Sequence, residues 1–283
     1  MATFNPVRQD NAIDEIAFAV HFKLPLAGEQ LLKDLIDLAT EVSDLLPHYE
    51  ITNSLTLQLN AQQSTNQTST KPSGIVCYKK SEHVANRQEW TLRVDGNRIV
   101  VACSEYSSWG KVSSQAKELL FKALRKIDVK SNPVVEAVLQ CVDKFEATDT
   151  NATAIDIFNA DSAYLTKHVI ENGGSSWHIH QGWFKDIDEI QAKLLNNLNI
   201  NTYNKQYSEK EIIVQGKTIN ETIVSHLIRI QHTGNPELSN IEELTADDGY
   251  LAKAFDAAHD LNKEAIRDLL NNAMLDKIGL SNA

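Results

Sequence analysis

EWTLRVDGNRIVVACSEY, residues 89–106, decides how the rest of the chain is read. Two alternating apolar–polar runs flank Asp95-Gly96-Asn97. Alternation with period two marks a strand with one buried face, and Asp-Gly-Asn is the chemistry of a tight hairpin turn. The stretch predicts two antiparallel strands. A chain that opens with such pairs is not a series of βαβ units.

The same period appears upstream in IDEIAFAVHFKL (13–24). There Ile16, Phe18, Val20, Phe22 and Leu24 fall on one side, and Ala17, Ala19, His21 and Lys23 on the other. Residues 51–61 read as a strand and 74–80 as another. The polar stretch between them, QQSTNQTSTKPS (62–73), reads as a mobile hairpin loop. Leu31, Leu35, Leu38, Val42 and Leu45 recur at helical spacing, as do Trp109, Val112, Ala116, Leu119, Ala123 and Ile127. Ser107 or Ser108 stands where that second helix needs a cap. Residues 132–147 favour a strand, although Ala, Glu, Leu and Gln keep a helix open.

The second half echoes this order. Residues 157–170 read as a helix, SSWHIHQGWF (175–184) begins a strand, 187–200 reads as helix, strand or both, and 211–233 as a long hairpin. Thr245-Ala-Asp-Asp248 is an acidic helix cap before a final helix that carries Phe255, Ala258, Ile266, Leu269, Leu270, Ala273 and Met274. The expected class is α+β, with one or two antiparallel sheets and helices packed on one face. Two similar halves, 1–150 and 151–283, pack closely as one unit in this reading.

Composition narrows the function. Hydrophobic residues make up 42% and charged residues 23%, an ordinary globular balance. The formal net charge of −11 argues against a general nucleic-acid binder and against anionic membranes. No apolar run approaches the ~20 residues of a membrane helix. Cys77, Cys103 and Cys141 are scattered, without a CxxC pair, and the first residues lack a secretory apolar core, so the expected location is the cytoplasm.

Chemistry is offered most openly by residues 175–184. On a strand His178 and His180 share a face and are close enough to share a metal, so a divalent ion is the cofactor this pair would take. His226, His232 and His259 are the candidates to complete such a site. The alternative is that both are sheet residues hydrogen-bonded to neighbours. Trp177 and Trp183 point the other way, into the core or a ligand groove. Gly182 marks a bulge or a close backbone approach. Asp14-Glu15, Glu242-Glu243 and Asp247-Asp248 are paired carboxylates without a cleft to shift their pKa values. Lys117, Lys122, Arg125, Lys126 and Lys130 form the most basic stretch, which reads as a solvated helix face. There is no GxGxxG, GxxxxGK[ST] or GxSxG anywhere.

Several segments together carry a resemblance. They are Asn11-Ala-Ile-Asp-Glu15, Ser104-Glu-Tyr-Ser-Ser-Trp109, VLQCVDKF (138–145) and FDAAHDLNKEAIRDLLNNAMLDKIGL (255–280). Their order resembles a sporadically distributed family of uncharacterised bacterial proteins. The resemblance implies carriage on mobile elements near defence or toxin–antitoxin genes. Tyr106 and Trp109, its Tyr-x-x-Trp element, join Trp177 and Trp183 as candidate binding residues.

Three readings of function follow. The first is a non-enzymatic interaction protein, an immunity, antitoxin, sensor or inhibitor component in phage–host conflict, which binds another protein or itself. The second is a metal-dependent hydrolase or nuclease built on His178 and His180. The third is a small-molecule binder with an apolar pocket.

Overall fold

The computed structural model describes residues 4–8, 10–26, 28–59, 66–147, 149, 152–153, 156–174, 176–206, 218–232 and 238–281. Its strands are β1 (Phe4–Pro6), β2 (Ile13–Phe22), β3 (His48–Leu59), β4 (Asn66–Lys80), β5 (Gln88–Asp95), β6 (Arg98–Cys103), β7 (Val134–Ala147), β8 (Trp177–Ile187), β9 (Ala192–Gln206) and β10 (Thr218–His232). Its helices are α1 (Glu29–Glu41), α2 (Trp109–Leu124), α3 (Lys167–Asn172), α4 (Ile241–Thr245), α5 (Tyr250–Leu269) and α6 (Asn272–Lys277). The fold is α+β with an antiparallel sheet, as expected. The strand order is β3-β4-β5-β6-β2-β7-β10-β9-β8, and β1 pairs with β7.

Two compact units are present. One takes residues 17–137 and 231–253, the other 1–16, 138–230 and 254–283. These boundaries differ from a division at residue 150, because β2, β7 and β10 each supply residues to both units.

In the first unit Phe18, Val20 and Phe22 of β2 are buried, in the alternation the sequence carries. Leu24 breaks that pattern: it lies beyond the end of β2 and is 53% exposed. The β5–β6 hairpin pairs Asp95 with Arg98 across a two-residue loop. Gly96 opens the loop at φ 59°, the left-handed position that turns of this length give to glycine. α1 packs on β4, and α2 on β5 and β6. Ser108 stands at the cap position of α2, but its side chain makes no cap bond.

Residues 62–65 of the expected polar loop, and the last two residues of the strand expected over 51–61, lie outside the described residues. Residues 66–73 are not a loop: they belong to β4 and pair with β3 from Leu59↔Asn66 onward. Backbone pairing to β3 holds this polar run, so no apolar pattern announces it. Pro72, which has no N–H to donate, sits where the register shifts between Thr52 and Asn53.

In the second unit β7 is the strand favoured from sequence, burying Leu139, Cys141 and Phe145. β8 and β9 pair without a break from Trp177↔Thr202 to Ile187↔Ala192, so Gly182 marks no bulge. A Cβ at Gly182 would stand 3.1 Å from the Asn196 carbonyl oxygen, which is the close approach.

The expected helix over 157–170 is corrected to α3 alone. Phe158 bridges to Leu270, the Asn159 amide donates to the Asp268 carbonyl (3.1 Å), and the Ser162 hydroxyl to the Asp268 carboxylate (2.6 Å). These long-range bonds hold the segment as a series of turns, in which Asn159 O accepts from the Ser162 N–H and Ser162 O from the Leu165 N–H, and not as a helix. Residues 187–200 resolve into a 3-10 turn at Asp188–Ile190 followed by β9. Of the expected hairpin over 211–233, β10 is described, while 211–217 and 233 lie outside the described residues. Thr245 closes α4, which Asn240 caps by accepting from the Glu242 N–H, and the last long helix begins only at Tyr250.

Candidate functional site

β8 is built from one alternation. Trp177, Ile179, Gln181 and Trp183 are half-buried, and His178, His180, Gly182 and Phe184 are exposed. The half-buried face rests on a core of Phe158, Leu198, Ile200, Val224, Ile266 and Leu269. Trp177 lies tilted on Phe158, with ring centroids 5.5 Å apart. Its indole N–H has no hydrogen-bond partner among the described residues. Trp183 sits against Tyr164 (4.9 Å) and the ring of His226 (5.6 Å).

His226 is buried and meets an asparagine at each ring nitrogen. Nδ1 lies 3.1 Å from Asn262 Oδ1, and Nε2 lies 3.1 Å from Asn196 Oδ1. Burial pushes its pKa down to about 4, against an opposing hydrogen bond with Asn262. The ring is therefore neutral at physiological pH and donates through one nitrogen only, so one of the two amides must face it with its NH₂ group. Asn196 is the amide whose nitrogen otherwise has no partner. His226 thus serves as a hydrogen-bonded post beneath β8, on the opposite face of the strands from His178 and His180.

The exposed face carries the His-x-His pair. His178 stands opposite Asn201, and His180 opposite Asn199. His178 Nδ1 lies 2.7 Å from Asn201 Oδ1, and His180 Nδ1 is bonded to Asn199 Oδ1. With the asparagine oxygen turned to the ring, Nδ1 is the donor of each pair, and Nε2 is the ring nitrogen without a partner of its own in these bonds. Among the described residues no group of three or more histidine, cysteine, aspartate or glutamate side chains is placed to hold a metal. The three histidines named to complete the site do not form such a group. His226 is engaged as described, His232 stacks on Tyr250 (5.2 Å), and His259 is buried, with burial first and Lys263 second pushing its pKa down to about 4.

Trp109 stacks on Phe18 with centroids 5.6 Å apart, and Tyr106 is half-buried before α2. Cys77, Cys103 and Cys141 are buried and none is in a disulfide among the described residues. Burial pushes Cys77 up to about 11 and raises Cys141 well above its usual value, so neither is a thiolate nucleophile. In the basic stretch Lys122 pairs with Glu118 (2.9 Å) and Lys126 with Glu41 (2.9 Å).

One polar pocket escaped the sequence reading. A cavity of about 400 Å³ is lined by His21, Asn97, Val135, Glu136, Gln231 and His232. His21 Nδ1 lies 2.9 Å from the buried Glu136 carboxylate, which also accepts from Gln231 at 3.4 Å. His21 was visible as a polar residue on the second face of its strand. Its partner lies more than a hundred positions away, and only the pairing of distant strands joins the two.

No helix among the described residues is long and apolar enough to cross a membrane. No family model matches this sequence, and no curated protein matches it.

Proposed function

We propose that the chain works by binding another polypeptide, without catalysis, and that β8 is the edge through which it binds. One observation carries the reading. β8 ends the strand order, has eleven residues, and exposes Phe184 to 63%. A terminal strand presents unpaired N–H and C=O groups that an extended segment can satisfy as one further strand.

The sequence resemblance directs the search for that partner to phage–host conflict in the bacterial cytoplasm, where this chain would serve as an immunity, antitoxin, sensor or inhibitor component. The test is a tagged pull-down from the native host, with and without phage challenge, comparing the parent with Phe184→Lys. Lysine on an exposed edge opposes strand addition. A stoichiometric protein captured by the parent and lost from the variant is the expected result. Equal capture by both, or none by the parent, overturns the proposal.

A further inference from the structure

His178 and His180 offer two metal donors in a geometry that ordinary surface histidines lack. Both lie on one face of a regular strand, about 7 Å apart along it. Each is steered by the neighbouring strand: Nδ1 is held against an asparagine Oδ1, at 2.7 Å for His178, and Nε2 is the nitrogen left over for a metal. Histidine ligands are oriented in this way by a second hydrogen bond on the non-ligating nitrogen. Imidazole donors suit zinc and its neighbours, and a closed structural zinc site takes four ligands. One chain supplies two, and no third is placed among its described residues.

We propose that the site is completed by a second copy of this chain. Two β8 strands pair antiparallel, edge to edge, about a two-fold axis at Ile179, and the four histidines hold one zinc ion. This rests on β8 being the binding edge, and it names the occupant.

The geometry follows from the strand alone. An antiparallel pairing centred on Ile179 puts His178 opposite the second copy's His180, and His180 opposite the second copy's His178. All four fall on one face, since residues directly opposite share a face. Their Cβ atoms form a rectangle of about 5 by 7 Å, with each corner about 4 Å from the centre. An imidazole spans that distance with its Nε2 about 2 Å from a shared ion. A two-fold axis makes the interface self-complementary, so each copy contributes the same pair. With four positions filled, the ion is structural rather than catalytic.

The test is the mass of the full chain in solution, by light scattering on a sizing column, with zinc chloride at half-molar equivalence and then with EDTA. The expected result is a monomer that becomes a dimer holding one zinc per two chains and returns to monomer with EDTA. His178→Ala and His180→Ala, both on exposed side chains, should keep the parent's melting temperature and remain monomeric with zinc. Asn199→Ala should weaken zinc binding about 10-fold, because it releases the ring of His180.

A chain that stays monomeric with zinc overturns the proposal. So does a dimer that forms equally in EDTA and in the histidine variants, but that result leaves the β8 edge reading standing. If Phe184→Lys then leaves that metal-free dimer intact, the edge reading fails as well.

Discussion

Asp143→Asn should stabilise the protein at neutral and alkaline pH and cost it about 1–3 kcal/mol below pH 4. Asp143 lies on β7 and is 4% exposed. One of its carboxylate oxygens, Oδ2, has no hydrogen-bond partner among the described residues. Its neighbour Lys144 pairs with Glu221 on β10, and the next hydroxyl on that strand, Thr222, is engaged with Thr202 at 3.0 Å. Burial pushes the Asp143 pKa from its ordinary 3.8 up to about 7. At about 1.4 kcal/mol per pH unit, ionising this group in the fold costs about 4 kcal/mol more than ionising it in the unfolded chain. The folded pKa is the higher one, so the unfolded chain releases its proton first. Stability is fully present below pH 3.8, falls as pH rises, and has lost this amount above about pH 7. Asparagine removes the titration but keeps a buried amide that costs about 1–3 kcal/mol if unbonded. The net gain at pH 8 is then about 1–3 kcal/mol. Urea unfolding of parent and variant at half-unit steps from pH 4 to 8.5 measures it, and other titrating groups cancel in the difference. A difference that stays constant across that range would refute a buried, unpaired carboxyl at this position.

Acid should unfold the chain through His226. Its folded pKa of about 4 lies below the ordinary 6.5, so the unfolded chain takes up the proton first and stability is lost as pH falls through this window, by about 3 kcal/mol. Circular dichroism on acid titration should show a shallower loss for His226→Gln. Lys144 bridges Glu146 (2.9 Å) and the buried Glu221 (2.7 Å); burial opposes its charge, but hydrogen bonds to both carboxylates push its pKa up. Lys144→Met should cost about 3–5 kcal/mol by urea midpoint, and Glu221→Gln added to it should recover much of the loss. Gly74→Ala should cost about 1–3 kcal/mol or more in thermal unfolding, since a Cβ there would stand 2.1 Å from the Val94 carbonyl oxygen.

The parts of the fold legible in the sequence are those in which one face of one element decides burial. Phe18, Val20 and Phe22 on β2 and the two sides of β8 alternate because the sheet alternates. What could not be read is held by partners far along the chain. Residues 66–73 gain their strand from β3 backbone groups, so their polarity carried no warning. Residues 157–166 are held out of a helix by bonds to Asp268 and Leu270, over a hundred positions on. The site follows the same division. The histidine pair was visible, and so was its alternation with the tryptophans. The asparagines that orient it carry a signal as well: Asn197, Asn199 and Asn201 repeat with the same period two as His178 and His180. Only the β8–β9 register shows that the two series face each other.

That register also explains why an edge strand can hold a precise pair of donors. A terminal strand has a neighbour on one side only, so its order must come from that neighbour and from the layer beneath. β9 supplies eleven paired positions and the two asparagines. The layer beneath supplies Trp183 against Tyr164 and His226, with His226 fixed in turn by Asn196 and Asn262. Gln181 adds a bond to the Tyr164 carbonyl (3.1 Å). A core that only had to be stable would fill these positions with leucine, because buried amides and a buried imidazole gain little net free energy. Polar groups with few alternative partners instead fix one arrangement of the strand, at some cost in stability. Loosening this layer should therefore weaken whatever binds the exposed face of β8, although no residue of the layer reaches that face.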